Sequence, residues 1–110
     1  MTHPGSAVVV LTTLGAAADA VQLARTLVDE GLAACVNVLS PMQSVYRWQG
    51  AVEVATEQQL VVKTTAARVP ALEARLRALH AYELPEFLVL TADGSAAYLA
   101  WIAESVKEPR

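Results

Sequence analysis

The spacing of hydrophobic and polar residues changes between a strand period and a helix period along the chain. An apolar, β-branched run at 7–11 predicts a strand that is buried on both faces. Across 17–28, apolar residues recur every three or four positions, which predicts an amphipathic helix that ends at Gly31. A second strand is predicted over 33–39, and Pro41 interrupts it because proline cannot donate a ladder hydrogen bond.

The next segment has the pattern of a hairpin with one long arm. Residues 45–49 alternate between the two faces, Gly50-Ala51 is the predicted reversal, and 52–64 form the returning arm. An arm of this length exceeds the usual strand of about five or six residues. Either it breaks at 56–57, or it projects from the domain and pairs with a neighbouring subunit; the apolar content of the chain favours projection.

The remaining pattern predicts a helix, a strand and a final helix. Pro70 opens the first of these helices, which stops near His80, and a strand follows at 87–90. Asp93-Gly94-Ser95 is predicted to form a turn and to supply the N-cap of the last helix. The order β-α-β-β-α-β plus a terminal helix predicts an α+β, ferredoxin-like antiparallel sheet, with helices on one face and none on the other. We expect one domain over 1–110, with an ordered core from about residue 7 to 106.

Composition adds an expectation of oligomerisation. Hydrophobic residues make up 55% of the chain and charged residues 17%, compared with averages of about 45–50% and about 25%. Another chain is therefore expected to cover part of the surface of a small domain with this composition.

Charge, hydropathy and cysteine content limit the partners. A net charge of -3 argues against a basic nucleic-acid face, and no apolar run approaches the roughly 20 residues that cross a bilayer. A single cysteine, Cys35, excludes an internal disulfide and is compatible with the cytosol.

The segment HAYELPE, residues 80–86, concentrates most of the candidate chemistry. His80, Tyr82, Glu83 and Glu86 are either a metal or ligand site, or the polar residues that remain where Pro85 separates a helix from a strand. Loop carboxylates are more often solvated than catalytic, and Tyr82 is equally suited to packing.

Two further residues have alternative interpretations. Cys35 is either a small buried hydrophobe or a thiolate ligand for a soft metal such as Cu(I) or Zn(II), with His80 as the nitrogen donor. Lys63, on an otherwise apolar strand, either extends its amine to solvent or pairs with a carboxylate such as Glu83 or Glu86. Common catalytic motifs are absent from the sequence.

Five ordered segments resemble the CutA family of divalent-cation tolerance proteins. The resemblance extends from about Val8 to Val106 and is carried by LVDEGLAACVNV (27–38), SVYRWQG (44–50), LVVKT (60–64), HAYELPE (80–86) and YLAWI (98–102).

This resemblance implies a cytosolic homotrimer of ferredoxin-like fold, associated with tolerance to copper and other divalent metals and without enzymatic activity. By position, it places the family's cysteine on Cys35 and its histidine and acids on His80, Glu83 and Glu86. The leading hypothesis is therefore a non-enzymatic metal-binding trimer with these four ligands, and copper is the expected ion.

A rival hypothesis comes from the similarity of this architecture to trimeric PII signalling proteins. In that case an intersubunit cleft would bind a small anionic effector, and the residues expected to line it are Lys63, Tyr82, Trp48 and Trp101.

Overall fold

A computed structural model describes residues 5–80, 82 and 84–106. Within these ranges the strands are β1 (Ala7–Gly15), β2 (Cys35–Val38), β3 (Met42–Trp48), β4 (Ala51–Thr65) and β5 (Leu88–Thr91). The helices are α1 (Ala20–Asp29), α2 (Val69–Leu79) and α3 (Ala96–Ser105), and a 3₁₀ turn, Ala66–Arg68, precedes α2.

The sheet has the antiparallel, ferredoxin-like arrangement that the order of elements predicts. Its strands lie in the order β2-β4-β1-β5, and β3 pairs with the first half of β4. Pro41 separates β2 from β3 as expected.

Helix α1 ends at the glycine that its sequence predicts, whereas its N-cap, Asp19, was not predicted. At its start, the side chain of Asp19 accepts a hydrogen bond from the Gln22 backbone N–H at 3.0 Å. At its end, Gly31 has a φ of 71°, and the N–H of Leu32 donates to the carbonyl of Leu27 at 3.0 Å. These are the contacts of a Schellman motif, which places β2 back against the helix.

The main core lies between the sheet and helices α1 and α2. Val8 and Val10 of β1 point into it, as does Val62 of β4. Leu27 of α1 and two leucines of α2, Leu72 and Leu76, complete it from the helical side. All of these side chains are at most 2% exposed.

The opposite face of the sheet differs in part from the prediction. We expected no helix on it, but α3 covers one end, where its Ile102 packs against Ala7 and Ala34. The three- and four-residue spacing of apolar residues identifies α3 as a helix. This spacing carries no information about the sheet face on which the helix docks. The other end of this face has no helix over it among the described residues.

Strand β4 is continuous over 15 residues and does not break at 56–57. Residues 57–65 pair with β1, whereas residues 51–57 pair with β3. Because β1 ends opposite Glu57, residues 51–56 have a strand partner on only one edge among the described residues. The first half of β4 and β3 thus form a two-stranded extension of the sheet, here called the β3–β4 ribbon.

The turn at the end of the ribbon lies one residue earlier than predicted. Trp48 pairs with Ala51, so the reversal consists of Gln49 and Gly50, not Gly50-Ala51. Both have positive φ, 49° and 82°, as a type I′ turn requires.

Both faces of the ribbon carry exposed apolar side chains. Val45 and Val54 lie directly opposite each other and are 67% and 65% exposed. Tyr46 and Trp48, on the other face, are 43% and 37% exposed. Since an isolated two-stranded ribbon is marginally stable in water, this surface is suited to cover by another chain.

The turn gives the first prediction. Gly50→Ala should lower the free energy of unfolding by about 1 kcal/mol, because alanine is strained at positive φ. Gly94→Ala is the control, since Gly94 has no positive φ and the nearest atom to an added Cβ is at 4.0 Å. Denaturant midpoints would measure both; equal destabilisation by the two substitutions would contradict the turn assignment.

Candidate functional site

The segment after α2 crosses from the helical side of the sheet to the opposite face. His80 has an extended backbone and ends the helix. Its Nε2 lies 2.5 Å from the carbonyl oxygen of Thr13, and its Nδ1 accepts the backbone N–H of Tyr82 at 3.1 Å. Because Nδ1 accepts, Nε2 is the nitrogen that donates, so these contacts define a neutral imidazole protonated at Nε2.

Glu86 is attached to the sheet through Gln59. Gln59 donates through its side-chain amide to Glu86 Oε2 at 2.9 Å and to the Thr12 carbonyl at 2.7 Å. Thr13, which contacts His80, is the residue directly opposite Gln59 in the β1–β4 register. His80 and Glu86, two of the predicted ligands, are therefore anchored to the same cross-strand pair.

Tyr82 and Glu57 form a partly buried hydrogen bond on this face. The Tyr82 hydroxyl donates to Glu57 Oε2 at 2.8 Å, and Glu57 is only 8% exposed. Burial, followed by the hydrogen bond to the Glu57 carboxylate and its negative charge, raises the pKa of Tyr82 from 10.0 to about 12. The phenol therefore stays protonated through the physiological range.

These groups line a cavity of about 820 Å³ between the ribbon and the loop, here called the aromatic cleft. It falls within the range of about 300–1,000 Å³ that is typical of small-molecule sites. Its lining residues are Thr13, Met42, Ser44, Tyr46, Trp48, Glu57, Tyr82, Leu84, Pro85 and Glu86.

A second group of candidates lies at the α3 end of the same face. Lys63 is directly opposite Cys35 in the β2–β4 register. Its Nζ donates to the Tyr98 hydroxyl at 3.4 Å and lies 5.7 Å from the centroid of that ring. Tyr98 in turn contacts Trp101, with their ring centroids 5.3 Å apart.

The four residues of the anionic-effector hypothesis are thus divided between two places. Tyr82 and Trp48 line the aromatic cleft, while Lys63 and Trp101 meet around Tyr98. Two carboxylates line the cleft, so its charge does not suit an anion. No described contact favours the anionic-effector hypothesis.

Within one chain, the predicted metal ligands that the structure describes do not form one group. Cys35 pairs with Lys63 of β4. Lys63 is four residues along the strand from Gln59, which is a distance of about 13 Å at the usual rise of a strand. Glu83 lies outside the described residues. Among those that are described, no three His, Cys, Asp or Glu side chains form a group suited to a metal ion.

Sequence reasoning missed Glu57 and Gln59, which hold Tyr82 and Glu86 in place. The available signal was their position in a long alternating strand, two residues apart and on the face opposite Leu60. It becomes informative only when the register with β1 is known.

The fold and the cleft together define a small ferredoxin-like α+β protein with an apolar ribbon and an acidic, aromatic cleft. The family model described as "CutA1 divalent ion tolerance protein" matches residues 8–105. The chain belongs to this family.

Individual relatives agree over most of the chain. The divalent-cation tolerance protein CutA of Thermus thermophilus is 45% identical over 98 residues, covering 88% of this chain and 95% of its own. A crystal structure of CutA from Xylella fastidiosa is 40% identical, with a TM-score of 0.87, 93% of this chain covered and 99% of that chain.

Other relatives differ in length and compartment. The CutA homolog of Xenopus laevis is 41% identical over 78% of this chain, which spans 58% of that protein. A relative from Oryza sativa is chloroplastic, and a CutA from Archaeoglobus fulgidus is periplasmic. No helix among the described residues is long and apolar enough to cross a membrane.

The Tyr82–Glu57 hydrogen bond gives the second prediction. The raised pKa means that the folded protein holds this proton to higher pH than the unfolded chain does. The resulting stabilisation is complete below pH 10.0 and is lost as the pH rises to about 12. Glu57→Gln should move the pKa of Tyr82 back towards its usual value, because the negative charge is removed.

Alkaline titration of tyrosinate absorbance measures this pKa while circular dichroism verifies that the protein is folded. Tyr82→Phe is the control, and it should remove the part of the absorbance change that occurs at the highest pH. An unchanged titration of Glu57→Gln would show that this carboxylate does not set the pKa.

Proposed function

We propose that this member of the CutA1 family is a non-enzymatic, homotrimeric protein of divalent-cation tolerance that binds copper or another divalent metal ion in the cytoplasm. The proposed ligands are Cys35, His80, Glu83 and Glu86. The observation that carries the proposal is the placement of His80 and Glu86 on one cross-strand pair, Thr13 and Gln59. Imidazole and thiolate donors suit copper and zinc.

The positions of the donors support a site made between subunits. Within one chain, Cys35 is about 13 Å along the sheet from the anchor of His80. A thiolate from one subunit and an imidazole from its neighbour therefore account for the ligand set better than one chain alone. Nδ1 of His80 is the nitrogen with a lone pair to offer, and a metal there replaces the Tyr82 N–H.

The apolar ribbon supports self-association. The valines on one of its faces, Val45, Val52 and Val54, are 62–67% exposed. A neighbouring subunit laid against this face would bury them and leave the opposite face, with Tyr46 and Trp48, to line the aromatic cleft. At about 25 cal/mol per Å² of apolar area, such burial stabilises the trimer considerably.

Metal titration tests the ligands. His80→Gln and Glu86→Gln should each weaken Cu(II) binding by about tenfold or more, whereas Cys35→Ser should act mainly on Cu(I), the softer ion. Calorimetric titration gives the affinities, and Glu104→Gln, which alters an exposed carboxylate on α3, is the matched control. Affinities equal to that of the wild type would exclude these ligands.

Mixed trimers test whether the site lies between subunits. Chains carrying Cys35→Ser and chains carrying His80→Gln should together form some complete sites, because the intact donors of the two chains can meet at one interface. Tight binding of copper should then return in a fraction of the sites after subunit exchange. A mixture that binds no better than its two components would place the ligands within one chain.

The oligomer is tested by its mass. Light scattering should give about three times the subunit mass of 11.7 kDa. Val54→Asp should dissociate the trimer, because it places a charge on the covered face. Val21→Asp should not, although Val21 is 60% exposed on α1 and Val54 is 65% exposed on the ribbon. A monomeric wild type would refute the proposed assembly.

A further inference from the structure

The aromatic cleft combines aromatic rings with carboxylates. Aromatic rings come from the ribbon, as Tyr46 and Trp48, and from the loop, as Tyr82. Carboxylates come from Glu57 in the sheet and from Glu86. Among the described residues, neither lysine nor arginine lines this cavity. The metal hypothesis uses Glu86 but leaves the rings of the ribbon without a role.

The carboxylates of the cleft are hydrogen-bonded but not neutralised by a cation. Glu57 accepts from the Tyr82 hydroxyl and Glu86 from the Gln59 amide, and both donors are uncharged. The ion pairs between described residues lie elsewhere, joining Arg75 to Glu30 and Arg77 to Glu73. A carboxylate as buried as Glu57, at 8% exposure, is costly unless a positive charge comes close.

The ring faces determine which cation fits. Aromatic faces attract a cation within about 6 Å of the ring centroid, and they favour a cation whose surface is apolar and weakly hydrated. A divalent metal ion keeps its hydration water and gains little from contact with Tyr46 or Trp48. An alkylated ammonium is weakly hydrated and contacts the rings directly. The cavity of about 820 Å³ is large enough for such a group and its substituents.

We propose that the aromatic cleft binds a small organic cation, with a quaternary or alkylated ammonium group held between the rings of Tyr46, Trp48 and Tyr82 and the carboxylates of Glu57 and Glu86. This proposal goes beyond metal binding, and it shares only Glu86 with the proposed metal site. The rings enclose the alkyl groups, and the carboxylates balance the charge.

Tetramethylammonium is the probe, and binding is measured by calorimetry on the trimer in the presence of excess chelator. Tert-butanol, which is neutral and of similar size, is the matched control ligand. The expected result is saturable binding of the cation that is at least about tenfold tighter than binding of the alcohol. Because all metal is removed, this outcome is independent of the metal site.

Fluorescence locates the bound cation. The chain has two tryptophans, so Trp101→Phe leaves Trp48 as the single indole. The emission of Trp48 in this variant should change along the same titration curve that calorimetry gives. Trp101 lies with Tyr98 at the α3 end of the sheet, so its substitution should not affect binding.

Four substitutions separate the contributions of the rings, the charge and the hydroxyl to binding. Trp48→Leu and Glu86→Gln should each weaken binding of tetramethylammonium by about tenfold, since each removes one source of attraction. Tyr82→Phe should retain binding, because the ring remains, whereas Tyr82→Leu should lose it. Circular dichroism and light scattering verify that each variant is folded and assembled.

Several results would overturn the proposal. These are absence of saturable binding, equal binding of cation and alcohol, or wild-type affinity in Trp48→Leu. Absence of copper binding by the wild-type protein, with organic-cation binding intact, would instead refute the proposed metal site alone.

Discussion

The antiparallel pairing of β1 with β4 is the constraint on which the rest of the structure depends. It extends along the whole of β1 and fixes which residues of β4 face the helices. Leu60 and Val62 enter the core, while Glu57 and Gln59 point to the opposite face. Because side chains alternate, a slip of one residue would bury the carboxylate and the amide among leucines and expose the core valine. The core and the cleft are therefore specified by the same register.

The loop after α2 depends on that register as well. His80 contacts Thr13 and Glu86 contacts Gln59, so the loop is held by two strands that are themselves paired. Its polar side chains thus have two functions: they attach the loop to the sheet, and they provide the charge and the imidazole of the proposed sites. The structural and functional interpretations of the segment 80–86 are compatible.

Local signals in the sequence predicted the elements well. Gly31 ends α1, proline positions mark the helix and strand limits, and the alternation across 52–64 identifies a long strand. These features arise from backbone conformations that nearby residues determine. The family resemblance predicted the fold, which the family match confirms, and it proposed His80 and Glu86 as ligands, which stays a prediction.

Features that depend on long-range packing could not be predicted from these local signals. The turn differs by one residue because Gln49, a residue without special turn preference, adopts positive φ. The docking of α3 and the distance between Cys35 and His80 depend on strand order and register, which periodicity does not encode. Glu57 and Gln59 were missed for the same reason: their partners are distant in sequence.

The open edge of residues 51–56 has a consequence for the newly made chain. A strand with exposed backbone donors and acceptors on one side is a template for any other strand, native or foreign. The same six residues that project from the sheet therefore make an unassembled subunit prone to aggregate. Rapid burial of this edge, more than the stability of the core, would then determine how much of the synthesised chain becomes usable protein.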